Sequence, residues 1–418
     1  MGNFSALIFL LLSFALPTGS PVLRRNPLAM YAAWLTLAAH HLVAFINAFV
    51  TPITSGWGDL YMFHRYGAGI YNAQAGYQPY GELLKVLYKL FGTSFWLGEV
   101  TSILCYSLSL LMVAELTARL GQERALVGVI CLFGLPASPL AHRSVTMREV
   151  YQATSLLLAA LALVRIRQNG PSPKGLLLLI VASLSMVYLH QSLAVFILAV
   201  WTLGIPWALR GMGGIANGIA IIAFFSLPVI LPGAANLFAN DSPTFRALEE
   251  GRLLNYAAAY REHVNEARSD YGVSIDTTSV PSFFMTLSAV VGLYFLAPLP
   301  WQMGSPIDLI ALSENVLRML LFFGALKLYL RSSSELKSTI TLLFSLAFIL
   351  ELMWALGTTN WGTALRHHVP SHGLFVILGL PYWLSYWKDA DFERLRRRQA
   401  LRKNLQARHP WERKEAKC

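Results

Sequence analysis

The chain has 418 residues, of which 55% are hydrophobic and only 13% are charged. Because soluble domains carry about 25% charged residues, this composition excludes an ordinary globular surface and indicates a protein whose solvent is mostly lipid. The formal net charge of +11 arises from short basic loops and a basic C-terminal tail, so we expect no nucleic-acid partner. The cysteines Cys105, Cys131 and Cys418 form no C-x-x-C pattern, which argues against structural disulfides and zinc sites.

Apolar runs follow one another along almost the whole chain, and most approach the roughly 20 residues that span a bilayer. The first run, Ala6–Ala15, has no basic residue before it, so we expect a retained helix rather than a cleaved signal peptide. The sequence predicts an all-α polytopic integral membrane protein of about 11–12 transmembrane helices, with its transmembrane catalytic domain at residues 1–387. The other candidate spans are 29–50, 96–116, 125–140, 151–166, 175–189, 191–209, 214–232, 282–298, 315–330, 338–356 and 372–387.

Basic residues in the short connections predict the orientation of these spans. Lys388–Cys418 holds 11 Lys or Arg residues against 5 acids, which is typical of a cytoplasmic tail lying along anionic headgroups. We therefore expect the tail at 388–418 to be cytoplasmic. The predicted outward loops, carrying loop helices, lie at about 51–95, 141–150, 233–281 and 357–373.

The region between Arg210 and Lys327 does not fit a strict alternation of cytoplasmic and outward loops. It holds three apolar runs where an even number is required, so either one of them enters the membrane without crossing it, or the run near 282–298, bounded by Pro281 and Pro298, is interfacial. Within this region Thr244–Arg268 interleaves apolar side chains with charged ones such as Arg261, which predicts an amphipathic helix resting on the outer face.

The first outward loop holds a polar and aromatic cluster. Asp59 is the only acid between Met1 and Glu82, and His64 and Arg65 follow it about 1.5 turns later if the segment is helical. Tyr71 belongs to the same loop. A carboxylate among aromatic side chains is suited to deprotonate an acceptor hydroxyl. The alternative is a salt-bridged acid that only orders the start of a helix.

The second outward cluster lies between two apolar runs and contains Arg143, Arg148 and Glu149. Outward arginines run against the positive-inside trend, and a guanidinium holds phosphate through two parallel hydrogen bonds. An internal Arg–Glu pair is the structural alternative.

The third outward cluster is the stretch Thr358–Pro370. It places Arg366, His367 and His368 side by side at the end of a predicted membrane helix, where they would stabilise a phosphate or pyrophosphate leaving group. The alternative is that these residues only cap a helix and meet lipid headgroups.

The order of these motifs resembles the polyprenyl-phosphate-sugar-dependent glycosyltransferases of the GT-C fold, such as the protein mannosyltransferases. The resemblance rests on D-x-Y, HRYG, IYN, GYQPYG and LYKLFG in residues 59–92, on MREV at Met147–Val150 and on NWGTALRHHVP at Asn360–Pro370. It covers about residues 29–168 and 315–386. Bacterial exopolysaccharide and O-antigen polymerases of the Wzy type share much of this pattern.

The resemblance implies a GT-C-like fold and a sugar donor that hangs from a polyprenyl phosphate or pyrophosphate in the membrane. It implies that Asp59 is the general base of an inverting displacement, and that Arg366 and His367, and less directly Arg148, stabilise the lipid phosphate as it leaves. Many members carry a paired acid in the first loop, whereas Leu60 follows Asp59 here, so a divalent cation stays open as a cofactor and we predict no metal ligand. The predicted substrate-binding residues are His64, Arg65, Tyr71, Arg143, Arg148, Glu149, Asn360, Trp361 and His368.

The leading functional hypothesis is thus a membrane glycosyltransferase of cell-surface polysaccharide or glycoconjugate synthesis. It would act at the periplasmic face of a bacterial inner membrane, with a polyprenyl-linked donor and membrane lipids as its partners. A Wzy-type polymerase is the alternative, and it calls for two cationic phosphate sites. A lipid-linked glycan transporter or flippase would show an internal repeat, which we do not find. An acyltransferase would rest only on membrane histidines such as His40 and His41.

Overall fold

The computed structural model describes residues 1–52, 58–70, 78–190, 193–209, 269–276 and 278–385, together with residues 250, 252, 256, 258, 259 and 261. Within these residues the fold is α-helical and no strand is formed. Six helices are long and apolar enough to cross a membrane, or seven if one bent pair counts as a single span. The chain is an all-α, multi-pass membrane protein. The predicted span 214–232 and the tail 388–418 lie outside the described residues.

The helices are numbered here in chain order. They are α1 (Gly2–Ala15), α2 (Pro27–Phe49), α3 (Gly58–Gly67), α4 (Gln78–Phe91), α5 (Phe95–Arg119), α6 (Leu126–Gly134), α7 (Ala137–Arg143), α8 (Glu149–Asn169), α9 (Pro173–Leu189), α10 (Leu193–Ala199), α11 (Val280–Leu296), α12 (Pro306–Arg331), α13 (Ser334–Gly357), α14 (Trp361–His367) and α15 (369–385).

The centre of the N-terminal half is formed by α5 and α8. In each, 78% of the apolar membrane-length window is buried by other helices, against 28% for the window that contains α1. Capping side chains set the start of α5 and of α2. Ser94 caps α5 by accepting a hydrogen bond from the Leu97 N–H, and Asn26 caps α2 in the same way. The outer helices α1 and α2 pack against α5, and they leave apolar side chains exposed where lipid would contact them.

The predicted span 125–140 is broken. It forms α6 and α7, which meet at an angle of 68°. Pro136 explains the break, because its ring and missing N–H do not allow a helix to continue and bias the preceding residue away from helical geometry. As a result, α7 packs against α14 and brings the second outward cluster next to the third.

In the C-terminal half, α12 and α13 form an antiparallel pair that α15 covers. Gly324 of α12 lies against the backbone of Gly379 in α15, and Gly379 lies against the backbone of Leu321 in α12, so that a Cβ atom at either glycine would collide with main-chain atoms. Small residues permit this close approach of membrane helices. The α13 helix therefore ends beside α14, which carries Arg366.

Arg261 is not on the outward polar face that the sequence predicted for Thr244–Arg268, most of which lies outside the described residues. Its side chain is fully buried and donates to the carbonyl oxygens of Ala355 (3.1 Å), Thr358 (2.6 Å) and Val273 (3.1 Å). The last carbonyls of a helix have no partner within it, and a cation there also interacts favourably with the helix dipole. Arg261 thus ties a segment outside the membrane helices to the end of α13.

We expect Arg261→Met to lower the thermal stability of the purified protein. The substitution keeps much of the buried volume but removes the Arg261 donor from the Thr358 and Val273 carbonyls, at about 1–3 kcal/mol for each group left unpaired. Arg252→Met is the control, because Arg252 pairs with Glu250 at the surface and its side chain is 65% exposed. Equal melting temperatures for the two variants, measured in the same detergent, would contradict the structural role of Arg261.

Candidate functional site

Three helix ends meet in one ion-pair cluster that joins all three outward clusters of the sequence. Arg366, in the last turn of α14, forms an ion pair with Asp59, in the first turn of α3. The Nε atom of Arg366 also lies 3.0 Å from Oε1 of Glu149, the first residue of α8. One guanidinium therefore binds two carboxylates that are 307 and 217 residues away along the chain.

Helix ends help to hold these charges. A helix carries partial positive charge at its N-terminus and partial negative charge at its C-terminus. Asp59 and Glu149 occupy first turns and Arg366 a last turn, so each charge is stabilised by its own helix. The side chains of Asp59 and Arg366 remain 30% and 18% exposed, which leaves them accessible to a ligand. That of Glu149 is only 3% exposed.

A second guanidinium lies beside the cluster. The Nε atom of Arg148 is 3.9 Å from Oε1 of Glu149, and its guanidinium lies 5.8 Å from the centre of the Phe63 ring. Phe63 lies one turn after Asp59 on α3, so α3 contacts both arginines. Two cations thus face the carboxylate of Glu149, while Oε2 of that residue is buried and has no hydrogen-bond partner in the described part of the chain.

Histidines line the next layer of the site. The ring of His367 stacks on Trp354 with 4.2 Å between centroids, and His190 meets the same indole edge-on at 4.9 Å. Burial, followed by the positive charges of Arg366 and nearby groups, holds the pKa of His367 well below its usual range. Burial likewise lowers the pKa of His190, with Arg148 and Arg366 adding to the effect. Both imidazoles are therefore neutral at neutral pH.

The other first-loop residues lie at or beyond the edge of this cluster. His64 pairs through Nδ1 with the Tyr88 hydroxyl at 2.9 Å, and burial lowers its pKa. Arg65 is solvent-exposed on α3. Tyr71 lies outside the described residues.

Arg143 does not fit the phosphate-binding role that the sequence suggested. Its side chain is fully buried, donates to the carbonyl oxygens of Phe133 and Val369, and lies 3.9 Å from the centre of the Phe133 ring. These contacts join the break between α6 and α7 to the start of α15. A guanidinium enclosed in this way supports the fold and presents no surface to a lipid phosphate.

Asn360 and Trp361 also make structural contacts. The Asn360 side chain accepts a hydrogen bond from the Thr363 N–H and so caps α14, whereas the Trp361 indole donates to Asp308 at 2.9 Å. They set the position of α14, and with it Arg366, without touching the cluster directly.

His368 belongs to a separate buried network that the sequence analysis missed. Its Nδ1 atom lies 2.5 Å from Oε2 of Glu351, and Ser371 donates to the other oxygen of that carboxylate. Arg318 lies beside them, and like Glu351 it falls in the middle of an apolar helix. Single charges inside predicted spans were the available signal, because such residues face the protein interior and pair there.

The carboxylates of the cluster pair with arginine side chains. Asp59 and Glu149 share the Arg366 guanidinium. Across the described ranges no group of three His, Cys, Asp or Glu side chains is arranged to hold a metal ion.

Comparison with known proteins adds no relative. No family model, curated protein or solved structure matches this chain. Its function therefore has to be argued from the cluster itself.

Proposed function

We propose that this protein is a membrane glycosyltransferase that moves a sugar or glycan from a polyprenyl-phosphate or polyprenyl-pyrophosphate donor to a hydroxyl acceptor. One observation carries the proposal: Arg366 lies between two carboxylates at the ends of three helices, with Arg148 beside them. A donor tethered in the bilayer requires its enzyme to present cations and a base at headgroup level, and helix ends are the part of a bundle that reaches this level.

The arrangement supports an order of events. A donor phosphate is a strong acceptor for a guanidinium fork, so it competes with Asp59 for Arg366. Once displaced, the Asp59 carboxylate is available to take the proton of the acceptor hydroxyl. The acceptor oxygen then attacks the anomeric carbon, and the bonding electron pair leaves with the lipid phosphate, whose charge Arg366 stabilises. Attack opposite the leaving group inverts the anomeric centre.

A GT-C-like arrangement of about 11–12 membrane helices is part of this proposal. So are the periplasmic position of the cluster at a bacterial inner membrane and the cytoplasmic position of the tail. The resemblance of the D-x-Y and NWGTALRHHVP motifs supports it, because those two motifs contain Asp59 and Arg366, which the fold brings into contact.

The polymerase alternative loses part of its support. It calls for two cationic phosphate sites, yet Arg143 and Arg261 are both fully buried against main-chain carbonyls. Arg366 and Arg148 both contact the same carboxylate, Glu149, so these two arginines form one cationic site.

The direct test is donor turnover by the purified full-length chain. A panel of polyprenyl-phosphate and polyprenyl-pyrophosphate sugars would be incubated with the detergent-solubilised protein, and release of the lipid phosphate would be followed by thin-layer chromatography. Release with at least one donor, reduced in Asp59→Asn, supports the proposal. Binding without release, or transport of the intact lipid in vesicles, would favour a transporter instead.

We also expect truncation at Asp389 to leave this turnover largely intact. The removed segment is strongly basic and offers few apolar side chains for packing, so it is suited to headgroup contacts rather than chemistry. The measurement is turnover of the truncated and full-length proteins at equal amounts of folded material. Loss of activity in a truncated protein that still elutes as one folded species would place the tail in the site.

A further inference from the structure

Hydrogen bonding fixes the tautomer of His367. The hydroxyl of Thr358 has a single proton, and it donates that proton to the Trp354 carbonyl at 2.6 Å. Nδ1 of His367 lies 2.7 Å from the same hydroxyl oxygen, so both short contacts are hydrogen bonds only when this nitrogen is the donor of the second one. The remaining ring nitrogen, Nε2, then carries a lone pair, and the side-chain hydrogen bond that His367 makes within the described residues uses Nδ1 and leaves Nε2 out.

The surroundings of His367 keep the Nε2 atom unprotonated. The side chain is only 7% exposed and stacks on Trp354. The charged and titratable groups that act most strongly on the ring are Arg366, His190, Arg148 and His368, and each of them disfavours a proton on it. Burial is the largest cause that lowers its pKa, and the two arginines add to it. A lowered histidine pKa means that the ring stays neutral to a pH below the ordinary histidine range.

We infer that His367 is a recognition group for a hydroxyl: its Nε2 accepts a hydrogen bond from the sugar or glycan acceptor. This rests on the proposed function and replaces the phosphate-stabilising role that the sequence suggested for His367. Arg366 and His367, which are adjacent in the sequence, then bind different substrates. Arg366, a permanent cation with N–H donors only, binds the phosphate, whereas His367, a neutral acceptor, orients the polyol.

The first test compares binding of polyprenyl phosphate with transfer. We expect Arg366→Gln to weaken polyprenyl phosphate binding by about 10- to 100-fold, the loss of a hydrogen bond to a charged group. His367→Asn should leave binding within about twofold, because the Asn amide still donates to Thr358. Its transfer rate at saturating donor should fall by about tenfold at an unchanged melting temperature. His367→Gln should recover part of that loss, because its side-chain oxygen reaches towards the position of Nε2.

Each outcome separates the two proposals. If His367→Asn weakens polyprenyl phosphate binding as much as Arg366→Gln does, His367 acts on the phosphate and the inference is overturned, while the proposed function stands. Unchanged transfer in His367→Asn, or a drop in melting temperature that accounts for its loss, also overturns the inference. If the wild-type protein neither binds polyprenyl phosphate nor releases it from any donor, the proposed function fails and the inference fails with it.

The second test reads the tautomer directly. Nitrogen NMR of the protein labelled at histidine, with the His367 signal assigned from the His367→Asn spectrum, should show a neutral ring protonated at Nδ1 at pH 7. The signal should stay neutral as the pH falls through the ordinary histidine range. A ring protonated at Nε2, or an imidazolium at pH 7, would overturn the inference whatever the transfer assay shows.

Discussion

Asp59→Asn should reduce donor turnover by about 100- to 10,000-fold, the usual effect of removing a general base. Asparagine keeps the size of the side chain and an oxygen that accepts from Arg366, but it does not take up a proton. Because Asp59 remains 30% exposed beside Arg366, it is placed to reach a substrate once a phosphate occupies that arginine. The measurement is product formation by detergent-purified protein with a lipid-linked donor, together with its melting temperature.

Asp270→Asn is the matched control for this substitution. Asp270 is also a loop acid, but its side chain accepts a local hydrogen bond from the Gly272 N–H and its backbone pairs with that of Asn360, and neither residue belongs to the ion-pair cluster. We expect the control to retain nearly full turnover. If Asp59 only orders the start of α3, its variant would instead lose expression or melting temperature in proportion to activity.

Near-normal turnover in a folded Asp59→Asn protein would indicate that Glu149, and not Asp59, is the general base. That carboxylate contacts Arg366 and Arg148 through Oε1, while its buried Oε2 lacks a hydrogen-bond partner in the described part of the chain. Glu149→Gln would then show the loss expected of Asp59→Asn. Retained turnover in both variants would contradict carboxylate base catalysis at this cluster.

The sequence could predict the helical, multi-pass class and the loops in which charge collects, because ionisable residues are rare in this chain and apolar runs are long. It singled out Asp59, Glu149 and Arg366 from separate loops, and the fold brings the three into contact. Their distances were beyond prediction, since they depend on the bend at Pro136 that carries α7 against α14. The catalytic roles of these residues stay predictions.

Residue type alone did not separate functional from structural arginines. Arg143 and Arg366 are both outward-loop arginines in the sequence, yet Arg143 is enclosed by main-chain carbonyls and Arg366 faces two carboxylates. The difference lies in which helix ends surround each guanidinium, and this is a tertiary property. Glu351, by contrast, was not singled out at all, because a hydropathy window averages a single acid with its apolar neighbours.

Arg366→Ala should cost about 2.7–4 kcal/mol of transition-state stabilisation, which is about a 100- to 1,000-fold loss of turnover. The guanidinium is the group placed to stabilise charge as it develops on the lipid phosphate. Its removal also leaves Asp59 and Glu149 facing each other without their shared cation. The turnover of Arg366→Lys should lie between that of Arg366→Ala and that of the wild type, because an ammonium group keeps the charge but does not form the two parallel hydrogen bonds of a guanidinium.

Arg331→Ala is the matched control, because Arg331 ends α12 at the far end of the α12–α13 pair, roughly 35 Å from α14 by helix length. Its guanidinium lies over the Tyr382 ring, so the control also removes a partly packed arginine. We expect Arg331→Ala to retain most of the turnover. The assignment of Arg366 to the leaving phosphate depends on a large difference between the two folded variants. Comparable turnover in both would refute it, because an arginine that only pairs with its neighbours contributes to stability and not to the chemical step.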